Sequence, residues 1–135
     1  MPDKSIVTRL RAVTAVTDLV STRIRCGKIA QSDSMPAIAV ELDMMQPVNT
    51  AGGTSGTKTA NVSVRCRGTS YSSASAVADA AETALNGWTN NAGTPPISMV
   101  HVLEKMYDPG PDVSGQDEVR EQFTLDCFVS YGTTL

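Results

Sequence analysis

His101 is the only histidine in this 135-residue chain, and Cys26, Cys66 and Cys127 are its only thiols, so covalent or imidazole-based chemistry must draw on these four side chains. A nucleophilic pair would join His101 to one of the cysteines. The local patterns argue otherwise. His101 falls inside a predicted strand, while Cys66 and Cys127 occupy the apolar parity of theirs, where cysteine serves as a small buried hydrophobe. There is no Gly-x-Ser-x-Gly elbow and no pair of histidine ligands. The cysteines are odd in number, far apart and without a Cys-x-x-Cys pair, so neither a zinc site nor a disulfide framework is expected. A small hydrolase using His101 is therefore the remote reading, and the chain is read as a non-enzyme.

Two further constellations invite the same scrutiny. Ala51-Gly52-Gly53-Thr54-Ser55-Gly56-Thr57-Lys58 has the flavour of a phosphate loop. The glycine that should precede the lysine is Thr57, the opening glycine is Ala51, and a strand rather than a helix follows, so no helix N-terminus would face an anion. Asp108, Asp112, Asp117, Glu118 and Glu121 are dense enough to attract a hard cation, but their spacing matches no EF-hand loop. A solvated acidic hairpin or a protein interface fits them better. Asn61-Val62-Ser63 matches a glycosylation acceptor but lies mid-strand in a chain with no signal-peptide layout at its start. No cofactor, metal or catalytic residue is assigned.

The elements that must position these residues follow from apolar periodicity. Ile6, Val7, Leu10, Val13, Val16 and Val20 recur at helical spacing, which predicts one helix from about Asp3, its N-cap, to Val20. Arg23 to Cys26 suits a short strand. Ala37 to Met44 alternates, placing Ile38, Val40, Leu42 and Met44 on one face. Gln46 to Gly56 lacks periodicity and Thr57 to Arg67 alternates again, with Ala60, Val62, Val64 and Cys66 inward, so the pair predicts a long hairpin with a mobile tip. Thr69 or Ser70 caps a second helix with a stripe of Ala74, Val77, Ala78, Ala81 and Leu85, stopped by Asn86-Gly87. The alanines predict close packing on a sheet. Ile97 to Tyr107 is apolar on both parities, as in a strand wet on neither side. Glu118 to Tyr131 alternates through Val119, Phe123, Leu125, Cys127 and Val129 and closes a second hairpin. The class is α+β, a mainly antiparallel sheet of about four to five strands with two helices on one face and long hairpin loops, in one domain spanning residues 1–135.

Composition limits the partners. Hydrophobic residues make up 41%, charged residues 19% and aromatics 4%, so the core must be aliphatic. No run of about 18 apolar residues exists, and a soluble intracellular product with no membrane partner is expected. The net charge of -3 and a pI near 5.0 argue against general nucleic-acid affinity. Charge is distributed unevenly. Residues 1–30 carry Lys4, Arg9, Arg11, Arg23, Arg25 and Lys28 against Asp3 and Asp18, a local charge of +4. Residues 97–135 carry Lys105 and Arg120 against seven carboxylates, a local charge of -5. Trp88, the only tryptophan, follows the Gly87 helix stop, where it either folds back on the last turn or anchors a protein contact.

Three stretches carry a family resemblance. Leu10-Arg11-Ala12-Val13, Val16-Thr17-Asp18-Leu19-Val20 and Arg23-Ile24 lead into Met35-Pro36-Ala37-Ile38. Val62-Ser63-Val64-Arg65-Cys66-Arg67 runs through Ser70-Tyr71 into the helix from Ala74 to Leu85 and Gly87. Met106-Tyr107-Asp108-Pro109 precedes Phe123-Thr124-Leu125-Asp126-Cys127-Phe128-Val129. In this order they resemble the tail completion, or tail terminator, proteins of long-tailed bacteriophages. The resemblance implies a structural protein of the virion, located at the tail neck and in the host cytoplasm during assembly. It also implies a homohexameric ring that caps the tail tube, joins the head-tail connector or stopper, and lets DNA pass through its channel without specific binding. A connector adaptor, a stopper or a tail-tube subunit is the alternative. On this basis the candidate subunit-interface residues are Arg9, Arg11, Arg23, Arg25, Trp88, Asp117, Glu118 and Glu121, because a basic start can meet a neighbour's acidic end. The candidate loop for contacting tube or connector is Asn49, Thr50, Gly52, Gly53, Thr54 and Ser55. This Gly/Thr-rich tip and the acidic loop at 109–117 depart most from the family pattern.

Overall fold

A computed structural model describes residues 2–21, 23–27, 36–50, 53–68, 70–90, 97–109 and 121–132. The N-terminal apolar stripe is helical, and Ile6, Leu10, Val16 and Val20 are fully buried. It forms two helices, however, α1 (Pro2–Ala12) and α2 (Thr14–Val20), rather than the one expected. Val13 between them is extended, with φ -96° and ψ 117°. Four of the five residues from Val13 to Thr17 are β-branched, and their restricted χ1 makes this the weakest part of the helical run. Asp3 lies in the first turn of α1 and is not its cap, because Pro2 begins the helix with φ already set.

Among the described residues five strands follow in one sheet of order β1-β2-β3-β5-β4: β1 (Ile24–Cys26), β2 (Ala37–Thr50), β3 (Gly53–Gly68), β4 (Ile97–Pro109) and β5 (Glu121–Gly132). Only β1 and β2 run parallel, and every other pair is antiparallel. Register places Ile38 opposite Cys66, and Cys66 opposite Phe123, with Val40, Val64 and Leu125 in the next row. These side chains are buried under the helices. Helix α3 (Tyr71–Leu85) packs its expected alanine stripe on this face. Its start is fixed by Ser70, whose Oγ accepts the Ser73 N–H at 3.1 Å. Thr69, the other expected cap, lies outside the described residues. At the end of β3, a Cβ on Gly68 would sit 2.6 Å from the Ala74 nitrogen, so only glycine permits this approach. Gly87, at φ 79°, ends the helical segment as expected, and its N–H donates to the Val100 carbonyl at 2.8 Å.

Three strand expectations need correction. A bulge between Leu42 and Met44 breaks the alternation of β2, so Met44 pairs with Asn61 on the opposite face and is 50% exposed instead of joining the core. The tract Gln46–Gly56 is not an aperiodic tip. Backbone pairing continues to Thr50 opposite Gly53, and ladder hydrogen bonds need no apolar side-chain alternation. Finally, β4 is not wet on neither side. It is the last strand of the sheet, with its outer edge bonded to residues 86–90 from Ile97 to Val102, and of its described apolar residues Ile97, Val100 and half-buried Val102 serve the core. Met99 and Met106 face the other side of the sheet, and Tyr107 lies at the exposed margin of the helix-covered face against Phe123 and Tyr71. Val119, expected in the last strand, lies outside the described residues, and β5 begins at Glu121.

Candidate assembly surfaces

The sheet separates the residues whose types are capable of covalent chemistry. Cys66 and Cys127 are buried on the helix-covered face. His101 pairs with Phe128, one register step from the Val102–Cys127 pair, so it points to the opposite face and is exposed. Cys26 lies on β1, four strand spacings or about 19 Å from β4. None of the three thiols can meet the imidazole. Burial also pushes the Cys66 thiol well up and the Cys127 thiol to about 12, so neither is a thiolate near neutrality. Burial and the neighbouring Asp3 carboxylate raise Cys26 as well.

Two of the expected interface residues do come together. Arg9, on α1, donates from Nε to the Ala84 carbonyl at 3.0 Å, and its guanidinium carbon lies 5.6 Å from the centre of the Trp88 ring. The carbonyl belongs to the last turn of α3, where the helix leaves acceptors unpaired and carries partial negative charge. Arg9 thus caps α3 from another element and holds Trp88 through a cation–π contact. Between α1 and the Trp88 segment runs a groove of about 340 Å³, lined by Lys4, Ser5, Thr8, Arg9, Ala12, Trp88 and Asn90. Both ionisable residues lining it are cationic. The two readings of Trp88 are compatible, since it packs against the core and also lines the groove.

The other basic candidates are spread along the first two segments. Arg11 donates to the Ile24 carbonyl at 2.6 Å and Arg23 to the Pro36 carbonyl at 2.9 Å, so both tie the N-terminal elements to β1 and to the entry of β2. Arg25 is exposed on β1. Asp117 and Glu118 lie outside the described residues, whereas Glu121 opens β5, paired with Gly68 and Pro109. Of the candidate contact loop, Asn49 and Thr50 end β2, Gly53, Thr54 and Ser55 begin β3, and Gly52 lies outside the described residues.

A surface that sequence reasoning missed is the outer part of β4, whose edge, among the described residues, is bonded to residues 86–90 only from Ile97 to Val102. Met99, Leu103, Met106 and Tyr107 are exposed along it, Leu103 most of all at 62%, where a bulge between Val102 and Glu104 leaves it without a paired residue. Tyr107 packs with Tyr71 and Phe123, ring centres 5.2 to 5.4 Å apart. Lys105, a residue type that commonly protects edges, is instead drawn back onto α3, 2.6 Å from Asp79 and 3.2 Å from Glu82. Its hydrogen bond to Asp79 raises its pKa. The signal was the apolar pattern on both parities of 97–107. Bulges at Ile97/Met99 and Val102/Glu104 shift the alternation, so both parities contribute to the core and both to the exposed apolar surface.

The face of the sheet turned away from the helices carries cross-linked polar side chains, with Met44, Met99 and Met106 exposed among them. Arg65 and Glu41 form a 2.8 Å ion pair, Ser63 Oγ donates to Asp43, and Arg67 Nε donates to Gln122 at 2.6 Å. Exposed Glu104 and half-buried Asp126 add to it, opposite one another on β4 and β5.

No curated protein sequence matches the chain. Among solved structures, it is similar to a chain of "Virion of native gene transfer agent (GTA) particle", with a TM-score of 0.71 and 15% identity, covering 96% of this chain and 93% of that one. The likeness at that identity establishes a shared fold. The family model described as Tail completion protein gp17 matches residues 4–112, most of the length, and the chain belongs to that family.

Proposed function

We propose that this structural protein of the bacteriophage tail assembles into a six-membered ring that ends the tail tube and joins it to the head connector. Membership of the tail completion family is the observation that carries the reading. A heterologous ring requires two different surfaces on each subunit, and the exposed apolar outer part of β4 and the cationic groove beside Trp88 are two such surfaces. Its partners in this reading are other copies of itself, the tail tube protein and the connector or stopper. The paired strand ends at Asn49, Thr50, Gly53, Thr54 and Ser55 reach toward the tube or connector. DNA passes through the channel unbound, past the carboxylates of the open sheet face, which repel phosphate. Assembly takes place in the host cytoplasm and ends at the tail neck of the virion.

Particles assembled without this protein test the role. Overlong tails that carry no heads are expected. Heads that fill and then leak DNA would instead assign the stopper role, and absence of any tube would assign a tube subunit.

A further inference from the structure

We infer that the groove between α1 and Trp88 receives the acidic segment 110–120 of a second copy of the chain. This rests on the ring reading above and names the contact that holds adjacent subunits. The groove carries Lys4 and Arg9, and among the described residues neither forms an ion pair. Among the described residues Arg9 is anchored through Nε, one of its five N–H donors, and its guanidinium carbon lies 5.6 Å from the centre of the Trp88 ring. A preorganised guanidinium beside an ammonium and a half-buried indole suits a carboxylate-bearing peptide. The segment 110–120 contains Asp112, Asp117 and Glu118 against Arg120, a net charge of -2 that complements the groove.

Reach excludes the same subunit. Trp88 accepts a hydrogen bond from the Val100 N–H, and Val100 pairs with Val129. Eight residue steps of β5 then separate Val129 from Glu121, the root of the acidic segment, which is about 26 Å along the sheet. Asp117 is four residues from that root and Asp112 three from Pro109, so fully extended chain carries them at most about 14 Å. The acidic residues cannot meet Arg9 and Trp88 of their own chain. Groove and segment sit at opposite ends of β5, which makes the contact heterologous, the type that closes into rings.

Two experiments on the full chain test this. Zero-length carbodiimide cross-linking of an equal mixture of unlabelled and ¹⁵N-labelled protein should join Lys4 to Asp117 or Glu118 in mixed-isotope peptides. Links confined to one isotope, or links of Lys4 only to other carboxylates, would overturn the inference. In sedimentation velocity, Lys4→Glu with Thr8→Glu, two exposed positions that leave the Arg9 hydrogen bond intact, should weaken self-association about tenfold or more. Asp117→Lys with Glu118→Lys should do the same, and the four changes combined should restore assembly. Wild-type assembly in the groove variants would refute this contact while leaving the ring standing. A wild-type protein that stays monomeric at every concentration would refute the ring itself. Groove variants that lose DNA binding but assemble normally would make the groove a nucleic-acid site and overturn the inference.

Discussion

Replacing Arg9 by Met keeps the apolar stem and removes the guanidinium, which isolates what that group does for α3 and Trp88. The lost hydrogen bond joins a charged donor to the Ala84 carbonyl, and such bonds contribute about 1.5–3 kcal/mol. Water can reach this part-buried carbonyl once the arginine is gone, so the low end applies. The cation–π contact at 5.6 Å adds about 0.5 kcal/mol at a partly exposed site. Together these predict destabilisation of about 2 kcal/mol, or a fall in Tm of roughly 6–10 °C for a chain of this size. Urea unfolding followed by the fluorescence of the only tryptophan measures it directly, at two protein concentrations so that assembly is separated from folding. A double-mutant cycle of Arg9→Met with Trp88→Leu should return a coupling of about 0.5–1 kcal/mol. A cost below about 0.5 kcal/mol with no coupling would refute the cap, and the groove would lose its fixed cation.

Other expectations bear on the fold and its edges. Gly68→Ala forces a methyl against the Ala74 nitrogen at 2.6 Å and should cost about 1–3 kcal/mol in chemical denaturation. Leu103→Lys with Met106→Lys alters exposed positions only, so stability should stay within about 0.5 kcal/mol while self-association or docking to tubes falls, read by sedimentation. Alkaline stability should fall from about pH 9, because the unfolded Cys127 thiol ionises near 9.0 while the folded one holds its proton to about 12. The stabilisation is complete below pH 9 and is lost as pH rises, on the order of 1 kcal/mol from this thiol by pH 10. Cys127→Ala should flatten that slope in unfolding curves taken between pH 8 and 10.5.

Alternation and helical spacing made most of the architecture legible. Ala60, Val62, Val64 and Cys66 are inward as their parity requires, the stripe of α3 is buried residue for residue, and Ser70 caps it. The departures have local causes. Val13 interrupts a regular apolar stripe because periodicity reports which face is buried and is blind to backbone continuity. The bulge after Leu42 shifts the parity of Met44, and no residue type there announces it. The ladder that carries β2 to Thr50 and begins β3 at Gly53 is built from backbone groups that every sequence possesses. Of the candidate surface, Arg9 and Trp88 were individually visible, but their meeting across 79 residues depends on how α1 lies over the end of α3. Arg11 and Arg23, named from sequence as candidate interface residues, bind backbone carbonyls of their own chain, which sequence alone does not reveal. Both parities of 97–107 were seen to be apolar, yet only the strand order shows that β4 is an edge.

The charge arithmetic of the chain, a basic beginning and an acidic end, acquires a spatial form in this fold. The cationic groove lies beside the start of β4, and the acidic segment leaves from its far end. Electron microscopy of the purified full-length protein tests the ring most directly. Closed particles of one fixed six-fold symmetry, with a central channel, are the predicted result. Monomers alone, or open filaments without closure, would contradict it.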